Sequence, residues 1–424
     1  MIYSYQGSVS AELQEKELKT CLYSAFEKLG KPNKVLAIPP DFTRFHSHSG
    51  ELTRYTYQYY RDKLTDILPA LGTHFPMTRN EIKTMYGDVP LDLFKVHNWK
   101  ADLKILGEVP KEFIEDVSEG KVSYSWPAQV NKLLVDGDFD LILSFGQVVP
   151  HEVTGMTGYN KNILIGTGGR EGINRSHFLG AVYGMERIMG QIDTPVRRVL
   201  NYATENFAKE LAIVYVLTVI GKNESEEPAV KGLFVGDDEE CFKMASKLSL
   251  KVNFSILSEP LKKVVVYLNP EEFKSTWLGN KSIYRTRMAI ADDGELIILA
   301  PGVCEFGEDK GIDALIRKYG YRATPEILQA VEDNEDLRRN LGAAAHLIHG
   351  SSENRFTITY CPGYLSKEEI ESVNFQFSDL QKMLKIYDPK TLREGFNNLP
   401  NGEEIFFISN PALGLWAYEK TIIV

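Results

Sequence analysis

The stretch from Pro150 to His177, PHEVTGMTGYNKNILIGTGGREGINRSH, concentrates the side chains of this sequence that could do chemistry. It holds two of the eight histidines, His151 and His177, with Lys161 and six glycines between them. Histidine moves protons near neutral pH. A lysine and two histidines on a Gly-rich backbone suit close approach to something flat or phosphorylated. Arg44 adds a fork of donors for a carboxylate or phosphate, unless it is spent on a local ion pair with Asp41. His74 and His97 complete the set.

These groups need elements to present them. Phe139–Gly146 reads as a short apolar strand closed by glycine. The stretch therefore begins at the carboxyl end of a strand, where open α/β sheets place their ligands. A second apolar run, Ile163–Ile165, follows the lysine, then the Gly-rich loop and a helix through Met185–Ile188. Upstream, Lys34–Pro39 reads as a buried strand ending in Pro40-Asp41-Phe42-Thr43-Arg44. A helix over Gly50–Leu64 follows, then a strand over Asp66–Gly72 ending in Thr73-His74. Thr78 and Glu81 form a capping box for a helix over Arg79–Tyr86, and His97 closes the next segment. This β-loop-α cadence predicts a mainly parallel α/β sheet whose strand tips bring Asp41, Arg44, His74, His97 and His151 to one cleft.

The ends of the chain are simpler. Residues 1–32 suggest a β-hairpin and an amphipathic helix over Ala11–Leu29. Leu211–Ile220 and Lys231–Gly236 read as strands, and 237–248 as a helix. The pattern restarts near Ser258-Glu259-Pro260, predicting two α/β domains, 1–260 and 261–424. The second contains strands at 263–270, 294–301, 355–361 and 404–409 and helices at 308–319, 324–332 and 335–349.

With 424 residues, 43% hydrophobic and 25% charged, the chain has ample material for a core. A net charge of -10 argues against nucleic-acid binding, which relies on basic residues. Cys21, Cys241, Cys304 and Cys361 form no CxxC pair, so neither a zinc knuckle nor a disulfide framework is indicated. The N-terminus has no basic region followed by an apolar core, and the longest apolar run is too short to span a bilayer. The expected compartment is the cytoplasm, with no membrane partner.

Gly166-Thr167-Gly168-Gly169-Arg170-Glu171-Gly172 misses the dinucleotide spacing GxGxxG by one residue. Phosphate contact by the backbone of Gly166, Gly168 and Gly169 is the better expectation. His151-Glu152 is not continued into HExxH. His346 and His349 are spaced i, i+3 at a helix end before Gly350, which suits either a ligand role or cations favoured at a helix C-terminus.

Four motifs together, PDFTR (40–44), GTHFPMT (72–78), HNW (97–99) and PH-x9-K-x15-H (150–177), resemble the nickel-dependent lactate racemase family. The resemblance implies two α/β domains with the active site in the cleft between them. It implies a nickel-pincer nucleotide, a pyridinium mononucleotide with two sulfur-containing arms, joined through a thioamide to Lys161. It further implies His177 as the nickel ligand and His74 and His151 as acid/base groups. Arg44 would bind the substrate, with Asp41 beside it. Separate cofactor-biosynthesis enzymes would be needed for maturation.

The sequence departs from the lactate pattern in its second half. The family's Tyr-Gln-x-x-Lys segment, whose Gln and Lys help hold lactate, becomes Tyr284-Arg285-Thr286-Arg287-Met288. The segments 300–313, 345–356 and 410–417 are polar-aromatic and rich in donors, suiting a longer hydroxylated substrate. The expectation is 2-epimerisation of an aldonate, such as D-gluconate or D-mannonate, with Arg285, Arg287, His346, His349 or Arg355 on the substrate. Alternatives left open are racemisation of a short 2-hydroxy acid such as lactate, a zinc-type hydrolase or lyase using the same histidines, and a non-catalytic sugar-acid binder.

Overall fold

The computed structural model describes residues 1–225 and 227–421. The chain divides into two compact units. One comprises Met1–Leu179 and Ile188–Asn253, the other Gly180–Arg187 and Phe254–Val424.

The elements up to residue 253 are, in order, β1 (Ile2–Gly7), α1 (Glu15–Leu29), β2 (Val35–Ile38), α2 (Ser49–Tyr60), β3 (Leu64–Ile67), α3 (Arg79–Tyr86), β4 (Leu103–Val109), α4 (Lys111–Val117), β5 (Trp126–Asn131), α5 (Leu133–Asp136) and β6 (Leu141–Gln147). They continue with β7 (Pro150–His151), β8 (Gly155–Met156), α6 (Asn160–Leu164), α7 (Arg170–Tyr183), α8 (Met185–Ile188), α9 (Pro195–Phe207), β9 (Ile213–Lys222), β10 (Pro228–Gly236) and α10 (Glu239–Asn253). The main sheet has the order β1-β10-β9-β6-β2-β3. β9, β6, β2 and β3 run parallel, while β10 and β1 are antiparallel additions. β6 is buried at six consecutive residues, Leu141–Gly146, as a strand covered on both faces requires. Val35, Ala37, Leu143, Phe145, Val214 and Val216 meet Leu22, Phe26 and Tyr55 of the flanking helices in the core.

The expected N-terminal hairpin does not form. β1 pairs instead with β10, through Tyr5 with Phe234 and Gly7 with Gly232. A Cβ on Gly7 would stand 2.6 Å from the Gly232 Cα, so this pairing depends on that glycine. α1 begins at Glu15 rather than Ala11, because Gln14 and Glu17 close a capping box there. Thr78 and Glu81 cap α3 in the same way.

In the second unit, β11 (Phe254–Leu257) and β12 (Leu261–Tyr267) are followed by α11 (Thr276–Gly279), α12 (Lys281–Tyr284), β13 (Ile290–Ala300), α13 (Lys310–Tyr319), α14 (Thr324–Asp333), α15 (Glu335–Arg338) and α16 (Leu341–His349). β14 (Thr357–Pro362), α17 (Lys367–Ser372), β15 (Gln376–Phe377), α18 (Leu380–Ile386), β16 (Gly395–Asn398), β17 (Glu404–Ile408) and β18 (Leu415–Tyr418) complete it. Its sheet, β15-β14-β13-β12-β17-β16, is parallel except for the β16–β17 pair. Val265, Ile297, Leu299, Cys361 and Phe407 form part of its core. The single helix expected over 335–349 breaks at Asn340, whose side chain accepts from the Ala343 N–H and starts α16 afresh. The fold class is therefore α/β with parallel-rich sheets.

Candidate active site

The main sheet changes direction between β2 and β6. From β2 the chain proceeds to β3 on one side, and from β6 to β9 on the other. Ligand crevices of open α/β sheets form outside the carboxyl ends of strands at such a point. Asp41 and Arg44 follow β2, and His151 follows β6.

Asp41 caps the short 3-10 turn Phe42–Ser47, its Oδ1 accepting from the Thr43 N–H at 3.1 Å and the Thr43 hydroxyl at 2.5 Å. Its Oδ2 accepts from His74 Nδ1 at 2.6 Å. Burial alone would raise the Asp41 pKa, but the His74 and Thr43 hydrogen bonds and the Arg44 charge outweigh it and hold the pKa low. Gly72, at φ 55°, makes the turn into the His74 segment, and its N–H donates to Gly166 O at 2.8 Å. The His74 loop is thereby tied to the segment just after Lys161.

His151 ends β7 and is buried. Its Nδ1 accepts from the Val153 and Thr154 N–H groups at 3.1 and 3.4 Å, which assigns the neutral ring's proton to Nε2. His177, on α7, shows the opposite arrangement. Its Nδ1–H donates to Ile173 O at 2.7 Å, leaving the lone pair on Nε2. Burial pushes both imidazole pKa values down, His151 far down. Lys161, on α6, is held down to about 8 by burial, with the Arg44 charge adding to it. Arg44, Lys161, His177 and Glu152 all act electrostatically on His151. The tertiary structure thus gathers Arg44, His151, Lys161 and His177, with Asp41 and His74 joined to Arg44's end of the cluster.

Glu152 belongs to the same group although the sequence pattern does not single it out. Its carboxylate is 3.7 Å from His151 Nδ1 and opposes the loss of charge on His151, Lys161 and His177. Its position next to His151 is the only signal that could have found it.

His97 has a different place. Its Nε2 bonds Gly168 O at 3.0 Å and its Nδ1 pairs with Asn131 Nδ2 at 3.0 Å, so it braces the Gly-rich segment from below. Two of the three glycines, Gly166 and Gly168, also differ from expectation. The N–H groups of Gly166 and Gly168 donate to Lys161 O and Ile165 O, closing helical turns rather than facing a phosphate. Their small size answers to packing. A Cβ would lie 2.4 Å from Asn162 O at Gly166, 2.2 Å from Leu164 O at Gly168 and 2.3 Å from Gln129 Oε1 at Gly169.

In the second unit, Arg287 is buried and donates through Nε to Glu186 at 2.7 Å and through Nη1 to Ser351 O at 2.9 Å and Ile348 O at 3.2 Å. Arg355 donates to Asp292, Arg287 O and Ile290 O at 2.8 to 3.1 Å. Arg287 thus braces the unit from inside and Arg355 closer to its surface, both bonded to groups of the chain itself where the sequence suggested substrate contact. Arg285 is buried, with Nη1 3.4 Å from Gly414 O. His346 lies 4.4 Å from the Trp277 ring and bonds the Tyr321 hydroxyl at 2.9 Å. His349, also buried, has its ring 6.2 Å from that of Tyr284.

Among the described residues no three His, Cys, Asp or Glu side chains come together as a metal-binding group. His177 nevertheless suits a metal that takes one protein donor. It is neutral, its Nε2 lone pair is available, and Ile173 O fixes the ring. Lys161, with its lowered pKa, suits covalent attachment. The residues present fit the anchored nickel cofactor. No helix among the described residues is long and apolar enough to cross a membrane.

Residues 9–188 match the family described as lactate racemase N-terminal domain. A curated lactate racemase from Thermoanaerobacterium thermosaccharolyticum is 28% identical over 161 residues, which span 36% of this chain and only 33% of that relative. The apoprotein structure of the lactate racemase from the same organism superposes with a TM-score of 0.68 at 17% identity, over 96% of this chain and 91% of that one. A Thermotoga maritima protein solved by structural genomics superposes with a TM-score of 0.81 at 24% identity, over 98% of this chain and 100% of that one. By sequence over residues 9–188 and by fold over nearly its whole length, the chain is similar to the lactate racemases.

Proposed function

We propose that this chain is a racemase or epimerase that inverts C2 of a 2-hydroxy acid, using a nickel-pincer nucleotide anchored on Lys161. The observation that carries the reading is that the fold sets Lys161 close to His177, whose Nδ1–H is tied to Ile173 O so that the lone pair stays on Nε2. When bound, the cofactor would supply a hydride-accepting centre for C2, with Lys161 and His177 holding it. His177 would be the protein's ligand to the nickel, an imidazole donor suited to that metal.

The chain's own residues then have defined work. Arg44 holds the substrate carboxylate through its donor fork. His74, with Nδ1–H on Asp41, keeps its lone pair on Nε2 and takes the hydroxyl proton as the C2–H bond breaks. Asp41 stabilises the imidazolium that results. His151 presents Nε2–H to the oxygen at C2, and serves as the second proton-handling group. Burial of His151 limits the access of water to the site.

The substrate is an aldonate in this proposal. Where the lactate pattern has a lysine, Met288 is buried, and Arg285 replaces the glutamine. That exchange removes the short-acid contacts. Racemisation of lactate itself remains the second reading, favoured by the match of residues 9–188. A zinc-type hydrolase would draw on His97, which instead bonds Gly168 O and Asn131.

The test is to produce the chain together with the cofactor-making enzymes and measure intact mass, the Lys161 peptide and nickel. The expected result is a nucleotide-sized adduct on Lys161 with about one nickel per chain, and turnover of aldonates above lactate. An unmodified Lys161, alongside a family member that is loaded by the same enzymes, overturns the cofactor assignment. Full lactate turnover without aldonate turnover overturns the substrate.

A further inference from the structure

Lys161 lies between two asparagines whose side chains are both fastened to the scaffold. Asn162 Nδ2 lies 3.0 Å from Ile38 O, 3.1 Å from Ser144 Oγ and 3.1 Å from Phe145 O. Ile38 ends β2, which leads to Asp41 and Arg44, and Ser144 and Phe145 belong to β6, which leads to His151. One amide group therefore joins the lysine helix to both strands of the switch point.

On the other side, Asn160 Nδ2 donates to Asn201 Oδ1 at 2.8 Å and approaches Thr204 Oγ1 at 3.2 Å. Its Oδ1 accepts from Arg197 Nη1, while Arg197 Nη2 donates to Met156 O at 2.7 Å. Arg197 is completely buried, stacks 4.3 Å from the Phe242 ring centre and, among the described residues, has no carboxylate in an ion pair with it and no acceptor for its Nε. A cation held this way costs stability, so a core built for stability alone would be better filled by an apolar side chain.

We propose that Asn162 and the Arg197–Asn160 pair are positioning residues that lock Lys161 against Arg44 and His151 for attachment of the cofactor. The inference rests on the reading of Lys161 as the anchor. In attachment the neutral Nζ attacks a thiocarboxylic acid carbon. The new carbon–nitrogen bond replaces the carbon–oxygen bond, and one amine proton leaves with the hydroxyl as water. No oxidant or reductant takes part. Such a step depends on the angle and distance of one amine, which a two-sided clamp controls and a single helix turn does not.

The experiment compares wild type with Asn162→Asp, Arg197→Met and Arg197→Lys, each produced with the cofactor-making enzymes. Asn162→Asp keeps the shape of the side chain, removes its donor and places a carboxylate against the Ile38 and Phe145 carbonyls. Adduct occupancy of Lys161 is read by intact mass and peptide mapping, melting temperature by calorimetry, and kcat and KM on the loaded fraction. Occupancy is expected to fall about tenfold in Asn162→Asp and Arg197→Met and to recover in Arg197→Lys. In the loaded fraction kcat falls while KM is nearly unchanged. Wild-type occupancy and kcat in folded Asn162→Asp and Arg197→Met overturn the proposal. Should Asn162→Asp fail to fold, Ser144→Ala, which deletes one of its three acceptors, carries the test, and unchanged occupancy there and in Arg197→Met has the same force. A wild-type chain with no adduct removes the anchor reading itself, and this inference with it.

Discussion

Asp41 Oδ2 accepts a 2.6 Å hydrogen bond from His74 Nδ1, joining two strand tips 33 residues apart in the chain. The bond holds the His74 ring and places its lone pair on Nε2. Asp41→Asn keeps the shape but removes the charge that stabilises the imidazolium. In the loaded enzyme its kcat is expected to drop about 10- to 100-fold, with KM little changed. A variant with wild-type kcat would show that His74 needs no such partner.

His151 and His177 should be opposite neutral tautomers. The first accepts backbone N–H groups at Nδ1, while the second donates from Nδ1 to Ile173 O. Nitrogen-15 spectra of cofactor-free protein at pH 7.5 are expected to show His151 protonated at Nε2 and His177 at Nδ1, both neutral because burial lowers their pKa values. Two identical tautomers, or two imidazolium rings, contradict the geometry.

Unmodified Lys161 costs the fold stability. In the unfolded chain its pKa is 10.5, against about 8 when folded. Below pH 8 both states carry the proton, so the fold bears the full cost of a buried charge. Between 8 and 10.5 the folded chain sheds it first, and stability rises with pH. Lys161→Met is therefore expected to stabilise the cofactor-free protein at pH 7 by roughly 1–3 kcal/mol, with the gain fading towards pH 10.5. Urea denaturation of both proteins across that range measures it. A destabilised Lys161→Met at pH 7 would refute the assignment.

Acid should act through the buried imidazoles first. His97, His151 and His177 all have pKa values below 6.5, chiefly through burial, so on acidification the unfolded chain takes up protons before the fold does. Stability is constant from this source above pH 6.5 and falls as the pH drops below it. Asp41, lowered beneath 3.8, keeps its contribution above that value and loses it in stronger acid. Melting temperature measured from pH 8 to 5 should decline below 6.5, and the decline should shrink in His97→Gln.

Arg287 in the second unit depends on Glu186. The guanidinium is 2% exposed and its Nε bonds the carboxylate at 2.7 Å. Glu186→Ala removes the nearer carboxylate of a buried cation, leaving Glu353 at 4.0 Å, and is expected to cost about 3 kcal/mol. Denaturation midpoints measure this loss, and a change under about 0.5 kcal/mol would mean that Glu353 and the backbone carbonyls satisfy Arg287.

What the sequence by itself determined is the local part. Apolar runs define β2, β6 and β9 because strands covered on both faces need them, and Thr78 with Glu81 announces α3 because a capping box acts within one turn. The residue types at 41, 44, 74, 151, 161 and 177 likewise stand out as candidates without any structure. What only the tertiary structure decided is which of those groups meet and in what state. β1 finds β10 across the length of the unit, a pairing no local pattern encodes. The glycines at 166 and 168 close helical turns, because their N–H groups have carbonyl partners one turn back. Arg287 and Arg355 are spent on internal acceptors, and Asn162 and Arg197 emerge as neighbours of the lysine. Charge, tautomer and burial are properties of surroundings assembled from distant parts of the chain, so a residue's type names the chemistry it can do and only its packing says whether it is placed to do it.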